Sequence, residues 1–402
     1  MLNLFKKQIP KTVNTIQFTF SSQIKKTHLN SIHREIGGKM VEFAGWDMPV
    51  KYDNLSIVES HLHTRNKCSL FDVGHMGQYR ITGPDRKRFF ETVVVADVHS
   101  VKLNQSKLSC FTNENGGIKD DCMFNNREDD ALFLVVNAAC KEKDHNHKYN
   151  NEKFKDKEYK MLIINFYQIN FCRPKTMEIV EKMAKTSLRN MPFMTGRELK
   201  FDNIKVWATR CGYTGEDGFE LSIEDPEQAK QLTYRFLANP LVEAAGLGAR
   251  DSLRLESGLC LYGNDMDETT TPSEASLLWL ISKNRKQTGG FLGDSKILSQ
   301  IKNKSLVKKK RIGLLIPQGP PARQHALVFD PSGNKIGEVT SGTFSPVLKK
   351  GIAMAYVPPA FSKNGTKLQV EVRGRLFPAI VTKMPFVPAG YYKVPGDGKS
   401  KK

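Results

Sequence analysis

Acidic residues are missing from the first 34 positions, where Lys6, Lys7, Lys11, Lys25 and Lys26 set the charge among Ser, Thr, Phe and Leu. That is the composition of a mitochondrial presequence, expected over residues 1–26; a secretory signal would need a longer continuous apolar centre. No run approaches the ~18 continuous apolar residues of a membrane span, so no membrane partner is expected. The seven cysteines, at 68, 110, 122, 140, 172, 211 and 260, are odd in number and include no C-x-x-C pair. This argues against a disulfide framework and a zinc site and fits a reducing compartment. A G-x-G-x-x-G strand–turn–helix is also lacking, which argues against a flavin or other dinucleotide domain. No H-x-x-x-H with a following acid occurs, so no metal is expected. His61, His63 and His75 are read as surface or capping residues. Basic-plus-aromatic runs of the kind that line a nucleic-acid groove are absent too.

What the chain does have is charge: 61 Lys and Arg against 42 Asp and Glu, a formal +19. Without a nucleic-acid groove, this excess predicts an anionic ligand or an acidic protein partner. At 402 residues the chain exceeds one typical core, and two or three domains are expected.

The stretch Leu108–Phe124 reads as a hairpin around Thr112–Gly117, because Asn and Gly accept the positive φ values of such turns. Its returning strand sets Asp120 and Asp121 side by side, and strand alternation points them to opposite faces. Only one can then enter a given pocket. Ala131–Ala138 is a buried strand in which Asn137 needs a partner, either backbone or ligand. Lys141–Lys160 is densely charged and predicts a solvated helix or insertion. Met161–Phe171 is abruptly apolar and β-prone, and Thr176–Met183 reads as a helix. In Val206–Glu220 a strand enters a Gly-rich turn; Phe219, Leu221 and Ile223 then share an apolar face, leaving Glu220 opposite. Asp225-Pro226-x-Gln228 forms a helix start. A further helix is expected after Gly246 and Gly248, capped by Asp251 or Ser252, with Arg250 at its mouth beside free amide donors. That arrangement suits an anion, although an internal salt bridge satisfies the same residues. From Arg311 to Pro388, strands alternate with turn residues and predict an all-β barrel or sandwich.

The blocks GGKMVEFAGW, HTRNKCSLFDVGHM, CFTNENGGIKDD, TRCGYTGEDGFE, ARDSLRLESGLCLYGNDMD, SEASLLW, VTSGTFSPVLKKGIAMAYV and KMPFVPAGYY occur in order from about Lys26 to Tyr392. Together they resemble the aminomethyltransferase family, the T proteins of the glycine cleavage system. The resemblance implies an α+β fold, a three-domain cloverleaf around a central folate cavity, closed by a C-terminal all-β distorted barrel. Residues 27–300 would form two intertwined α+β domains, residues 308–392 the barrel and residues 393–402 a disordered tail. It assigns the catalytic carboxylate to Asp121 and tetrahydrofolate contacts to Glu220, Arg250 and Tyr391. Asn137, Tyr213, Trp279 and Arg311 fall at positions lining the same cavity. The family moves the aminomethyl carbon from the lipoyl arm of the H protein to tetrahydrofolate. Ammonia is released, and methylenetetrahydrofolate and dihydrolipoyl protein are formed. The expected partners are lipoylated H protein and polyglutamylated folate, with no nucleic acid and no metal, in the mitochondrial matrix. One segment departs from the family: where relatives usually carry Leu-Gln-Gly-Pro, this chain reads Asn170-Phe-Cys-Arg-Pro174.

Overall fold

The structure, a computed structural model, describes residues 24–149, 158–164, 167–172 and 174–395. The expected presequence lies outside the described residues as far as position 23, and the tail lies outside them from position 396. Lys25–Lys26 pair in parallel with Trp46–Asp47, at the edge of a three-stranded sheet completed by Gly38–Phe43.

The hairpin forms as the sequence predicts. Ser106–Thr112 and Ile118–Asn126 pair in antiparallel fashion. Gly116 takes a φ of 73° in the turn, and the Asn113 side chain accepts from the amides of Asn115 and Gly117. Leu132–Val136, Gly77–Thr82 and Lys160–Ile163 extend the pair into a five-stranded antiparallel sheet. The Arg86–Val93 helix packs Phe89, Phe90 and Val93 onto this sheet beside Phe111 and Phe124. Asp85, at the N-cap position of that helix, makes no side-chain cap bond; its carboxylate accepts from the Glu158 amide.

A second sheet of six strands runs in the order Thr195–Phe201, Ile204–Arg210, Gly218–Ile223, Tyr167–Cys172, Cys68–Asp72, Val242–Ala244. The apolar stretch Met161–Phe171 therefore feeds both sheets, ending one and entering the other. Asp225 caps the Pro226–Leu237 helix by accepting from the Gln228 amide, as its sequence predicts. The following helix, Leu247–Glu256, starts earlier than expected. Its N-cap is Gly246, and the glycines let it lie against the Val50 backbone, where a Cβ at position 246 would come within 2.5 Å. Asp251 and Ser252 are therefore interior positions, bonded to Arg254 and His61.

Two further expectations are corrected. His61 and His75 are fully buried, not surface residues: His61 joins Ser252 Oγ (2.7 Å) and Glu256 Oε2 (3.0 Å). His63 does serve the helix end, reaching the Cys68 carbonyl at 3.0 Å. The charged run from Lys141 is not all solvated either. It forms a helix, Lys141–Tyr149, whose Asp144 is wholly buried and whose Lys143 donates to Tyr262.

The C-terminal strands close into a six-stranded barrel in the order Lys310–Ile316, Lys350–Val357, Lys335–Ser345, Leu327–Phe329, Lys367–Val372, Arg375–Thr382. Leu327–Phe329 is too short to stand out as a strand in the sequence, yet without it the ring would be open. A bulge between Val339 and Ser341 turns Thr340 outward to Asp265 Oδ1, 2.5 Å away.

Barrel and N-terminal sheets meet at Glu256, at the end of the Leu247–Glu256 helix. Its carboxylate accepts from His61, from Arg65 (2.9 Å) and from Ser345 of the barrel (2.5 Å). Its carbonyl accepts the amides of Phe386 and Val387. The chain end then runs along the Thr214–Asp217 loop, where the Gly390 amide meets the Gly215 carbonyl. Tyr392 stacks on the Arg210 guanidinium and donates to the Arg189 carbonyl. The C-terminal segment thus folds back onto the N-terminal sheets.

Candidate functional site

The non-core face of the hairpin strand carries Asp121 and Met123; the matching face of the six-stranded sheet carries Glu220 and Ser222. The two faces meet across a small cavity lined by Met123, Val135, Thr209, Glu220 and Ser222. A larger cavity of about 450 Å³ lies elsewhere, against Trp46, Met76, Tyr79 and Lys141; Asp121, Glu220 and Arg250 are not among its lining.

Asp121 is half-buried, whereas Asp120 is fully buried on the core side. Alternation separates them as expected, but one side chain reaches both. The Asn137 amide nitrogen donates to Asp120 Oδ1 and to Asp121 Oδ1, each at 2.8 Å, and the Asn137 backbone N–H donates to Asp120 Oδ2 at 3.0 Å. Burial, then the neighbouring charge of Asp120, pushes the Asp121 carboxyl up to about 7, while the Asn137 bond acts the other way. A carboxyl poised there can take or give a proton near neutrality.

Glu220 stands in the middle of its sheet, opposite Asn170 on one side and Thr209 on the other. Asn170 donates to Glu220 Oε1 at 2.9 Å. Burial raises the Glu220 pKa, against the Arg250 charge and the hydrogen bonds from Cys211 and Asn170. Arg250, in the first turn of its helix, lies over the Tyr213 ring at 4.7 Å. Its buried Nη1 has no hydrogen-bond partner among the described residues. A guanidinium nitrogen left so is costly unless a ligand completes it. Tyr213 donates to the Cys260 carbonyl, and its phenol is raised by burial with both Asp121 and Arg250 in electrostatic range. These contacts join Asp121, Asn137, Tyr213, Glu220 and Arg250 into one neighbourhood.

The remaining sequence candidates make their direct contacts elsewhere, although the Cys260 thiol has both Arg311 and Asp121 in electrostatic range. Trp279 lies in a short turn, Leu278–Leu280, with its side chain 63% exposed. Arg311 is buried at the root of the barrel, donating to the Ala275 carbonyl at 2.8 Å and contacting Met354 Sδ at 3.2 Å. Those contacts tie the barrel to the N-terminal part. Tyr391 stacks on Phe193, ring centres 4.3 Å apart. Asn170 was missed by sequence reasoning, although an amide inside an apolar β-prone stretch, two residues after Gln168, was the available signal. It lies within the segment that departs from the family, and there it holds Glu220. Among the described residues no group of three or more His, Cys, Asp or Glu could hold a metal ion.

Known proteins match this chain along nearly its whole length. The model described as the GCVT N-terminal domain matches residues 29–285, and that of the glycine cleavage T-protein C-terminal barrel domain matches residues 309–388. The mitochondrial aminomethyltransferase of Dictyostelium discoideum is 49% identical over 95% of this chain and 97% of its own. That of Homo sapiens is 44% identical over 92% and 91%. The crystal structure of the glycine cleavage system aminomethyltransferase T from Bartonella henselae superposes with a TM-score of 0.86. It is 35% identical, covering 92% of this chain and 100% of that one. With both halves matched and the six-stranded barrel in place, the chain belongs to the aminomethyltransferase family of glycine cleavage T proteins.

Proposed function

We propose that this chain transfers the methylene carbon of the aminomethyl group carried on lipoylated H protein to tetrahydrofolate, releasing ammonia, in the mitochondrial matrix. The observation that carries this reading is a half-buried carboxyl poised near neutrality that shares Tyr213 as a neighbour with a half-buried arginine whose buried Nη1 is an unused donor. The residues fit the folate. Glu220, held by Asn170, can accept from the N–H-rich edge of a pterin, and Arg250 Nη1 can donate to an acceptor on the ligand. When bound, tetrahydrofolate supplies the nitrogens that receive the one-carbon unit. Asp121 accepts the proton given up as such a nitrogen forms its new bond, and its negative charge favours a cationic carbon centre. Asn137 fixes the Asp121 rotamer, and Tyr213 orients Arg250. The direct test supplies purified protein with aminomethyl-loaded H protein and tetrahydrofolate. Methylenetetrahydrofolate and ammonia should appear in equal amounts, and their absence would remove the assignment.

The excess of Lys and Arg fits an acidic carrier protein and the carboxylates of polyglutamylated folate. Raising ionic strength should therefore slow H-protein association, measured by stopped-flow, more than it speeds dissociation. An association rate indifferent to salt would count against electrostatic recruitment.

Tyr391 is proposed to reach the folate from the returning C-terminal segment. A chain ending at Gly390 keeps the Gly390–Gly215 contact and should fold. It should bind tetrahydrofolate several-fold more weakly by calorimetry. Unchanged affinity would remove Tyr391 from the site.

A further inference from the structure

Asp120 is the other half of the Asp-Asp pair, and the reading above gives it no task. It is wholly buried, and so is Asp144 of the Lys141–Tyr149 helix, whose carboxyl lies within hydrogen-bonding reach of it. Two carboxylates cannot both stay ionised side by side in so dry a place, because neither keeps its water and each repels the other. The groups around them offer little counter-charge. The Cys140 thiol touches Asp120, and Tyr79, Tyr262 and the Cys110 thiol are in electrostatic range. The nearby cation, Lys143, is engaged elsewhere, 2.6 Å from Tyr262 Oη and 3.4 Å from Glu268. Asn137 is the link to the reacting carboxylate, since its amide nitrogen divides its two hydrogens between Asp120 and Asp121. An Asn in this role cannot turn over without losing both bonds, because its oxygen would then face two acceptors.

We infer that Asp120 and Asp144 share one proton and act as positioning residues, fixing the Asn137 amide and setting how tightly Asp121 holds its own proton. The pair carries a single negative charge spread over two sites, only one of which adjoins Asp121. Burial and the Asp120 charge raise the Asp121 carboxyl, so its affinity follows how much of that shared charge rests on Asp120. The pair shares the pattern of other coupled carboxyl dyads, whose protons belong to the pair and not to one member.

The inference rests on Asp121 being the reacting carboxylate, and its test separates the two claims. In Asp120→Asn the neighbouring charge is gone, so Asp121 gives up its proton more easily. The acid limb of the turnover–pH profile should move to lower pH. In Asp144→Asn, Asp120 loses its competitor and ionises fully beside Asp121, so the acid limb should move to higher pH. Each shift is expected to be on the order of one pH unit. A merely structural role would not drive two isosteric variants in opposite directions. Independently of activity, Asp121→Asn protein, which lacks the Asp121 proton, should still show at neutral pH the infrared C=O stretch of a buried protonated carboxyl, and adding Asp144→Asn should diminish it by one carboxyl. Opposed shifts with loss of that intensity support the pair. Shifts in one direction, no shifts, or an Asp121→Asn spectrum that Asp144→Asn leaves unchanged overturn it. If instead Asp121→Asn keeps full turnover, the assignment of Asp121 fails while the infrared result still decides whether the proton is shared.

Discussion

Asp121→Asn is expected to fold like the wild type, to bind tetrahydrofolate with little change, and to turn over roughly 10²–10⁴-fold more slowly. The isosteric amide keeps the volume but no longer accepts a proton. The measurement is kcat with loaded H protein, beside calorimetric folate binding. Asp120→Asn should lose less at the pH optimum, because Asp120 faces the core and touches the reaction only through Asn137. Equal losses in kcat for the two variants would sink the assignment of roles.

Glu256→Gln is expected to cost about 3–5 kcal/mol of stability, the range for breaking a buried ion pair by removing one partner. The amide leaves Arg65 with Glu216, 2.5 Å away, as its remaining carboxylate among the described residues, and weakens the bonds to His61 and Ser345. Because the same residue ties the Leu247–Glu256 helix to the barrel, urea unfolding should also split into two transitions where the wild type shows one. Burial works against the Glu256 carboxylate. The hydrogen bonds of His61 and Ser345 and the charges of His61 and Arg65 outweigh it and hold its pKa below the usual value. A depressed carboxyl contributes its full stability above the unfolded-state pKa and loses it as pH falls through the folded one. The gap between variant and wild type should therefore shrink on acidification below the ordinary glutamate range. A gap unchanged down to strongly acidic pH would mean that Glu256 acts by packing alone.

Local alternation was enough to turn Glu220 away from Phe219, Leu221 and Ile223, and turn chemistry was enough to form the hairpin that presents Asp121. The blocks of family sequence, not alternation, are what propose Asp121 over Asp120, and they name Tyr213 and Arg250, which the structure brings into contact with each other. Sequence reasoning failed where a polar residue is satisfied by one distant in the chain. Nothing near His61 announces Glu256, and nothing in the charged run from Lys141 singles out Asp144 as the residue that turns inward. Arg311 is a further case: its guanidinium donates to the carbonyls of Ala275 and Gly258, and nothing in the sequence around it announces either. Short elements are lost for a different reason: three residues of the Leu327–Phe329 strand carry too little periodicity to be read.

The order in which the strands enter the sheets bears on how the chain is made. Cys68–Asp72 belongs to the six-stranded sheet, but its antiparallel neighbour begins only at Tyr167 and its parallel one at Val242. Everything needed for the five-stranded sheet lies between, ending with Lys160–Ile163. As the chain emerges from a ribosome or an import channel, the five-stranded sheet can close first, and Cys68–Asp72 is left as an orphan strand with both edges open. Its five residues are all buried in the finished protein, which makes it a sticky template for foreign strands while it waits. The interval before Tyr167 arrives is thus the stage at which the nascent chain depends most on a chaperone, and slowing elongation there would raise aggregation without altering the native state.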